Sequence, residues 1–170
     1  MARDAALRGF SVLLAERGDL AGATSSRTSK LIHGGIRYLE RGEIALVREA
    51  LRERAILLRI APDLVHPLDF VLPVYRGEGR PRWMLRAGLW LYGALAGSDP
   101  LAAHRQLAAG PLHRFEPALR VEGLLGGFLF RDAQMDDALL CVATAVAAER
   151  AGAEVRTYSE VRGLERTSAG

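Results

Sequence analysis

Residues 24 to 40 contain the side chains of this sequence that are best suited to chemistry. Five hydroxyl residues occupy six consecutive positions (24–29), and Lys30, the only lysine of the chain, follows them. Hydroxyls near a helix N-terminus can bind a phosphate, and Ser29 could cap a helix that begins at Lys30. Serine and threonine also favour turns and caps without any ligand, and Lys30 could be an ordinary surface cation. The residue pattern leaves both interpretations open.

His33 is the second chemical feature, and Gly34 and Gly35 follow it directly. An imidazole titrates near neutral pH, so His33 could act as a general base. The two glycines remove side-chain bulk beside the histidine, which leaves room for a flat ligand or for a close backbone approach. A single histidine is more often structural, however, and the glycines are what favours a binding role here.

Arg37 and Tyr38 complete this group. If the segment is helical, Arg37 lies on the same face as His33, four residues earlier. Its guanidinium could bind a phosphate or a carboxylate through two hydrogen bonds. Alternatively, Arg37 forms an ion pair with Glu40 or Glu43.

The elements before this segment resemble half of a nucleotide-binding unit. Residues 3–8 are predicted to be the last turns of a helix that Gly9 ends, and residues 10–15 form an apolar run typical of a strand buried on both faces of a parallel sheet. Glu16 closes that strand. A carboxylate at the carboxyl end of such a strand can accept hydrogen bonds from a ribose diol, although pairing with Arg17 or Arg3 would also explain it.

The rest of the chain alternates predicted helices and strands. An amphipathic helix carries Ile44, Val47, Leu51, Ala55 and Leu58 on one face, and Pro62 ends it. A second helix, capped by Asp136 or Asp137, runs to about Ala151. A strand is predicted at 68–75, where Pro73 suggests an edge or a bulge. Further strands are predicted at 123–130, 154–157 and 161–166, and residues 97–120 are predicted to be a polar connection.

The predicted helix at residues 82–96 is apolar nearly all round and contains both tryptophans, Trp83 and Trp90. Tryptophan and arginine are typical of segments that lie at the headgroup level of a membrane. A buried core helix explains the same pattern and is the preferred interpretation.

The bulk composition matches a globular protein of 170 residues, with 49% hydrophobic and 25% charged residues. The net charge of +3 comes from scattered arginines without a basic, aromatic-rich patch, so no nucleic-acid partner is expected. Cys141 is the only cysteine, which fits a reducing compartment, and a cytoplasmic location is expected. Asp132, Asp136 and Asp137 could suggest a metal site, but helix capping explains the last two, and no metal site is predicted.

Several blocks resemble FAD-dependent, quinone-linked glycerol-3-phosphate dehydrogenases. The most specific is Ser-Lys-Leu-Ile-His-Gly-Gly-Ile-Arg-Tyr at 29–38, whereas Gly-Phe-Ser-Val-Leu-Leu-Ala-Glu at 9–16 occurs in many flavoproteins. Further similarity lies at 24–26, 61–67, 131–140 and 151–155. The resemblance therefore covers nearly the whole chain.

This resemblance implies an α/β fold, with a partial Rossmann-like FAD-binding domain and an inserted α+β segment of the substrate domain. The implied boundaries are 1–66 for the FAD-binding part, 67–133 for the substrate or cap part, and 134–170 for the return to the FAD-binding domain. The implied reaction is the oxidation of glycerol 3-phosphate to dihydroxyacetone phosphate, with electrons passed to quinone. The resemblance leaves open two further interactions: peripheral contact with the cytoplasmic membrane, and pairing with a second copy of the chain as a homodimer.

The resemblance also implies roles for individual residues. Substrate-pocket and catalytic positions would be His33, which assists proton removal, Arg37, which binds the anionic end of the substrate, and Tyr38. Glu16 would bind the adenosine ribose. The other cofactor-binding positions would be Thr24, Ser25, Ser26, Ser29, Lys30, Leu31 and Gly34.

The chain departs from the family pattern because the first strand, the Gly-x-Gly-x-x-Gly turn and everything after residue 170 are not in it. Without that turn, the FAD pyrophosphate loses backbone donors, so we expect the 170-residue chain alone to bind FAD weakly or not at all and to be inactive. Two alternatives remain. One is a fragment of an amino-acid-oxidase-type flavoenzyme, and the other is a short non-catalytic protein that associates with membranes or a partner.

Overall fold

The computed structural model describes residues 1–97, 99 and 101–165, and these residues form two compact units. The first unit combines residues 1–30 with the chain from Asp136 onward, and the second is Leu31–Met135. Both mix helices and strands, as the predicted α/β class requires. The compact units divide after Lys30 and Met135, whereas the predicted domain boundaries at 66/67 and 133/134 refer to a longer protein and stay a prediction.

The first unit contains a short pair of parallel strands and two helices. The elements are α1 (Ala2–Leu7), β1 (Leu13–Ala15), a 3-10 turn (Thr24–Ser26), α5 (Asp137–Arg150) and β6 (Glu154–Arg156). Strand β1 runs parallel to β6, with Leu14 opposite Val155. Gly9 follows α1 with a φ of +86°, a left-handed conformation that suits a glycine after a helix, as expected.

Two of the predicted features of this unit are wrong. The strand at 10–15 is only three residues long and is not buried on both faces, since Phe10 is 67% exposed and Leu13 is 56% exposed. A parallel strand is buried on both faces when helices cover both faces of a larger sheet, and among the described residues this sheet consists of β1 and β6 only. The strand predicted at 161–166 is also absent from residues 161–165, and residue 166 lies outside the described residues.

In the second unit, a long central strand organises the sheet. The elements are β2 (Leu31–Ile32), a 3-10 helix (Ile36–Arg41), α2 (Ile44–Ile60), β3 (Val65–Tyr75), α3 (Arg82–Ala96), β4 (His104–Leu107), α4 (Ala109–Phe115) and β5 (Leu124–Met135). Strand β3 pairs antiparallel with β5 along one edge, from Val65 opposite Met135 to Tyr75 opposite Leu124. Strands β2 and β4 pair with the opposite edge of β5.

Helices α2 and α3 supply most of the core of this unit. Val47, Leu51 and Tyr92 form one buried cluster, and Val74, Leu89 and Phe128 form another. Phe130 packs against both clusters, and its ring meets Tyr92 edge-on with the centroids 6.3 Å apart. The core therefore connects the start of the unit, through α2 and α3, to the central strand.

Several predictions for this unit are confirmed and others are not. Helices α2 and α3 and the strand ending at Tyr75 occur as expected, and Pro73 lies in β3, which pairs with β5 alone among the described strands. The connection at 97–120 contains β4 and α4, elements of four and seven residues that were too short to give a periodic signal. The core location expected for the tryptophans is wrong, because Trp83 and Trp90 are 73% and 68% exposed while Leu89 and Tyr92 face inward.

No helix in the described part of the chain is both long enough and apolar enough to cross a membrane.

Gly127 in β5 offers a test of this packing. A Cβ at residue 127 would lie 2.4 Å from the carbonyl oxygen of Leu72 and 2.8 Å from Cδ2 of Leu112, so an added methyl must displace backbone. We expect Gly127→Ala to lower the free energy of unfolding by about 1–3 kcal/mol in chemical denaturation.

Gly88→Ala is the matched control for this substitution. Its added Cβ meets nothing within 4 Å and lies inside α3, where alanine is the better helix former. Equal stability changes in the two variants would contradict the packing described for β5.

Candidate functional site

The hydroxyl-rich loop of the first unit is held by the first residue of α5. The Thr28 amide and hydroxyl both donate to Oδ2 of Asp137, at 3.2 and 2.8 Å. The Lys30 amide donates in turn to the Thr28 hydroxyl oxygen at 2.9 Å. These bonds give the Thr28 hydroxyl a structural role. Of the other hydroxyl residues, Ser26 is half-buried and donates to the Ala23 carbonyl, whereas Thr24, Ser25 and Ser29 are exposed.

The hydrogen bonds from Thr28 lower the pKa of Asp137 below its usual value, chiefly through the hydroxyl, because they favour the charged carboxylate. Asp136 performs the expected N-cap role, since its side chain accepts from the Leu139 amide. Asp137 therefore has a different function from its neighbour: it ties the loop to the helix.

Lys30 does not begin a helix, so the prediction that Ser29 caps one is wrong. Lys30 has a φ of +58°, and the chain continues into the extended strand β2. A left-handed conformation costs a residue with a side chain about 1–2 kcal/mol, and such strain tends to occur at functional positions. The Thr28 hydroxyl oxygen accepts from the amide of Lys30 and so holds this strained residue in place. The side chain of Lys30 is exposed at this turn.

Glu16 lies directly after β1, as predicted. Its Oε1 accepts from the Gly18 amide at 2.8 Å, and its carbonyl oxygen accepts from the Ser159 amide at 2.8 Å. No salt bridge joins Glu16 to Arg3 or Arg17 among the described residues, so the alternative surface pairing is not formed. The carboxylate retains acceptor capacity at the end of a parallel strand, which fits a ribose diol.

The first unit therefore presents a donor and acceptor set that fits a dinucleotide. A carboxylate suits ribose hydroxyls, and exposed hydroxyls and an ammonium group suit phosphates. The predicted cofactor residues of this unit that are exposed or half-buried are Glu16, Thr24, Ser25, Ser26, Ser29 and Lys30.

In the second unit, Gly34 is in close contact with the protein itself. Its amide donates to the Tyr92 hydroxyl oxygen at 2.8 Å. A Cβ at residue 34 would lie 2.5 Å from both that oxygen and Cδ2 of Leu51. The space expected for a ligand beside Gly34 is thus filled on this side by Tyr92 and Leu51, and its contact with a cofactor stays a prediction.

Gly35 changes the direction of the backbone. Its φ of +68° places it in the left-handed region, and its carbonyl accepts from the Tyr38 amide at 2.8 Å to start the 3-10 helix. The helix begins only at Ile36, so the condition under which His33 and Arg37 would share one helix face is not met. His33, Arg37 and Tyr38 are all exposed within six residues of chain, and their side chains make no hydrogen bonds to one another among the described residues.

Arg37 has no salt bridge in the described part of the chain, so its predicted alternative pairing with Glu40 or Glu43 is not formed. Glu40 instead pairs through both carboxylate oxygens with Arg80. The bond from Arg80 lowers the pKa of Glu40, and the charge of Arg37 contributes only weakly. The guanidinium of Arg37 is therefore accessible to an anionic ligand.

Beneath Gly34 lies a buried polar network that the sequence analysis did not identify. The Tyr92 hydroxyl donates to the Asp132 carboxylate, with its oxygen 2.9 and 3.0 Å from the two carboxylate oxygens. Arg54 pairs with Asp132 through Nη1 and with Asp99 through Nη2, the latter at 2.6 Å. Arg54 is fully buried, and Tyr92 and Asp132 are each 3% exposed.

Burial and charge together determine the ionisation of this network. Burial alone would lower the pKa of Arg54, but the hydrogen bonds that Arg54 donates to Asp99 and Asp132, together with the charges of these carboxylates, outweigh it and raise the pKa. Burial raises the pKa of Tyr92 above its usual value, and the adjacent Asp132 charge raises it further. Tyr92 therefore stays protonated, so it donates to Asp132 and accepts from the Gly34 amide at the same time.

The sequence contained a signal for this network. Val47, Leu51, Arg54 and Leu58 follow one another at steps of four, three and four, which places an arginine in the apolar stripe of α2. By residue type Asp132 could be a metal ligand, but its described partners are Arg54 and Tyr92. Nothing in the sequence pattern indicated Tyr92 or Asp99 as its members.

Arg54→Met should destabilise the protein strongly, because it leaves two buried carboxylates without their counter-charge. We expect a loss of about 3–5 kcal/mol in the free energy of unfolding. Arg131→Met is the control, since Arg131 and Asp69 form a surface pair with side chains 55% and 42% exposed, and its loss should stay within about 1 kcal/mol. Losses of the same size in both variants would rule out a buried network.

Asp137 should make stability depend on pH. Its lowered pKa means that its contribution is present above the unfolded value of about 3.9 and is lost as the pH falls through the folded pKa. Asp137→Asn should therefore be less stable than the wild type at pH 7, with a smaller difference at pH 3, measured by urea midpoints. Asp136→Asn, which keeps an N-cap acceptor, is the control. A deficit that is the same at both pH values would contradict this assignment.

Comparison with known proteins places these features in a family. The family model described as FAD dependent oxidoreductase (DAO) matches residues 1–170, the whole chain. Glycerol-3-phosphate dehydrogenase of Pseudomonas aeruginosa is 50% identical over 157 residues, covering 92% of this chain and 30% of the relative. The aerobic glycerol-3-phosphate dehydrogenase of Escherichia coli is 44% identical over 166 residues, covering 98% of this chain and 32% of the relative.

A further relative differs in its named substrate. D-erythritol 1-phosphate dehydrogenase of Brucella abortus is 45% identical over 170 residues, covering all of this chain and 33% of the relative. The chain thus spans about a third of the length of these curated relatives.

A solved structure shows the same fold. Glycerol-3-phosphate dehydrogenase from Bacillus halodurans, complexed with FAD, matches with a TM-score of 0.69 and 26% identity, covering 98% of this chain and 25% of that one. The α/β flavoprotein fold, the resemblance to glycerol-3-phosphate dehydrogenases and the FAD cofactor predicted from the sequence are confirmed. The chain belongs to the family of FAD-dependent oxidoreductases.

Proposed function

We propose that this chain is the part of a glycerol-3-phosphate dehydrogenase that contacts FAD and the phosphorylated substrate. The observation that carries the proposal is the exposed group of His33, Arg37 and Tyr38, which lies on either side of the Gly34 backbone that a buried network holds. The names of the relatives at 44–50% identity support the substrate. The 170-residue chain alone is proposed to be inactive, in line with its covering about a third of those relatives.

Arg37 binds the anionic end of the substrate in this proposal. Its guanidinium has no salt bridge among the described residues and can offer a phosphate two parallel hydrogen bonds. Tyr38 lies next to it with 38% of its surface exposed, and its phenol can donate to a substrate oxygen. These two side chains supply binding and orientation.

His33 supplies the base. Oxidation of the secondary alcohol breaks its O–H and C–H bonds, and the imidazole accepts the hydroxyl proton as the carbonyl of dihydroxyacetone phosphate forms. FAD, when bound, supplies the two-electron chemistry by accepting the hydride from that carbon, and the electrons go on to quinone.

The cofactor residues are proposed to act by binding. Glu16 accepts hydrogen bonds from the ribose hydroxyls. Thr24, Ser25, Ser26 and Ser29 offer hydroxyl donors, Lys30 offers a compact positive charge that suits a phosphate or the reduced cofactor's negative charge, and Leu31 and Gly34 lie along the cofactor.

D-erythritol 1-phosphate is a second candidate substrate, because the Brucella abortus relative covers all of this chain at 45% identity. Both candidates carry a phosphate monoester on a short polyol, so Arg37 would bind either one in the same way. Comparing the rates at which the enzyme oxidises the two substrates decides between them.

Contact with a membrane is proposed to accompany quinone reduction. Helix α3 exposes Trp83 and Trp90, the residue type that favours the membrane interface. The homodimer and the cytoplasmic location remain predictions.

The activity test uses a chimera in which this sequence replaces the matching region of the Pseudomonas aeruginosa relative. We expect flavin-dependent reduction of an acceptor dye with glycerol 3-phosphate. Arg37→Met should raise KM by about tenfold or more, since a charge-assisted hydrogen bond contributes about 1.5–3 kcal/mol.

Arg41→Met is the matched control, because Arg41 is an exposed arginine of the same 3-10 helix and should leave KM unchanged. Equal turnover of glycerol without a phosphate, or an unchanged KM in the Arg37 variant, would disprove the proposed substrate role.

A further inference from the structure

We propose that Tyr92 and Asp132 are positioning residues for the reaction: they hold the Gly34 backbone, and so the adjacent His33, in the geometry that proton transfer requires. This inference rests on the proposed function for its chemistry, although the contacts themselves are independent of it. The starting point is that the bond from the Gly34 amide to the Tyr92 hydroxyl is buried and is adjacent in the chain to the exposed imidazole.

The Tyr92 hydroxyl has a defined hydrogen-bond direction. It carries one proton, and the Asp132 carboxylate, an acceptor only, takes that proton at 2.9–3.0 Å. The lone pairs of Tyr92 therefore remain for the Gly34 amide. A hydroxyl in this setting does not rotate to another partner, so the amide of Gly34 has one fixed acceptor.

Arg54 holds the Asp132 carboxylate in place within the core. It pairs with Asp132 and Asp99, and its guanidinium also donates to the Arg131 carbonyl at 3.3 Å. A buried arginine between two carboxylates is a costly way to stabilise a core, since well-packed apolar residues often do as well. What such a network adds is a single orientation for the groups bonded to it, which here end at Gly34.

Steric contact fixes the same segment from a second side. Leu51 and Tyr92 both lie where a Cβ of residue 34 would be, so the backbone has no room to approach more closely. The segment from Ile36 onward is held differently: Ile36 and Leu39 pack on the Val47, Leu51 and Tyr92 cluster, and Glu40 is paired with Arg80.

This difference predicts a kinetic signature. Removing the Tyr92 hydroxyl takes away the acceptor of the Gly34 amide beside His33, so steric contact alone holds that backbone, but it leaves the 3-10 helix that carries Arg37 packed as before. Proton transfer should suffer more than phosphate binding, because small displacements of a catalytic group reduce rates by up to about a hundredfold.

The test is Tyr92→Phe in the chimera described above. We expect kcat to fall about tenfold to a hundredfold, with KM for glycerol 3-phosphate changed less than about threefold and with flavin content unchanged. Tyr75→Phe is the matched control: it removes a half-buried phenol hydroxyl elsewhere in the same unit and should change neither constant. An unchanged kcat per bound flavin in the Tyr92 variant would overturn the inference.

Amide hydrogen exchange in the wild-type 170-residue chain is a second measurement that needs no activity and no variant. The Gly34 amide should exchange as slowly as the core amides of β5. Exchange of Gly34 at the rate of an exposed loop amide would overturn the positioning role, even if the Tyr92 variant failed to fold. If the wild-type chimera oxidises no polyol phosphate, the proposed function is wrong. The exchange rate of the Gly34 amide still shows whether Tyr92 holds the Gly34 backbone.

Discussion

The fully buried side chain of Arg54 determines much of what the second unit can do. It must be neutralised where it lies, and Asp132 and Asp99 do so from β5 and from the chain after α3. Asp132 then accepts from Tyr92, and Tyr92 accepts from Gly34. One charge placed in the apolar stripe of α2 is thus connected, through Asp132 and Tyr92, to the backbone next to the candidate base.

The first unit contains a smaller hydrogen-bond network of the same kind. Asp137 accepts from the amide and hydroxyl of Thr28, and that hydroxyl accepts from the strained amide of Lys30. In both units, an acidic residue on a long element fixes the backbone of a short irregular segment. Apart from Glu16 and Ser26, the candidate binding side chains form no hydrogen bonds among the described residues, so they can bond to a ligand.

The sequence alone could predict the features that depend on local pattern. The amphipathic period predicted α2, Asp136 or Asp137 as a cap predicted the start of α5, and Gly9 predicted the end of α1. Two features depend on contacts distant in the chain and could not be predicted: the identity of the partners of Arg54 and the exposure of Trp83. The 3-10 geometry after Gly35 is local, but it follows from a left-handed φ that the residue pattern does not specify. The adjacent glycines at 34 and 35 indicate a close approach in the sequence, and the structure shows that Tyr92 and Leu51 closely approach Gly34 and that Tyr38 closely approaches Gly35, while the cofactor contact of Gly34 stays a prediction.

The central claim is that Arg54 and Tyr92, which do not bond to each other, act through Asp132 as one network. A double-mutant cycle on the free energy of unfolding, with Tyr92→Phe and Arg54→Met alone and together, tests this directly. Linked residues should show a coupling energy of about 0.5–3 kcal/mol. Losses that add within experimental error would contradict the claim, because they would make the two residues independent parts of the core.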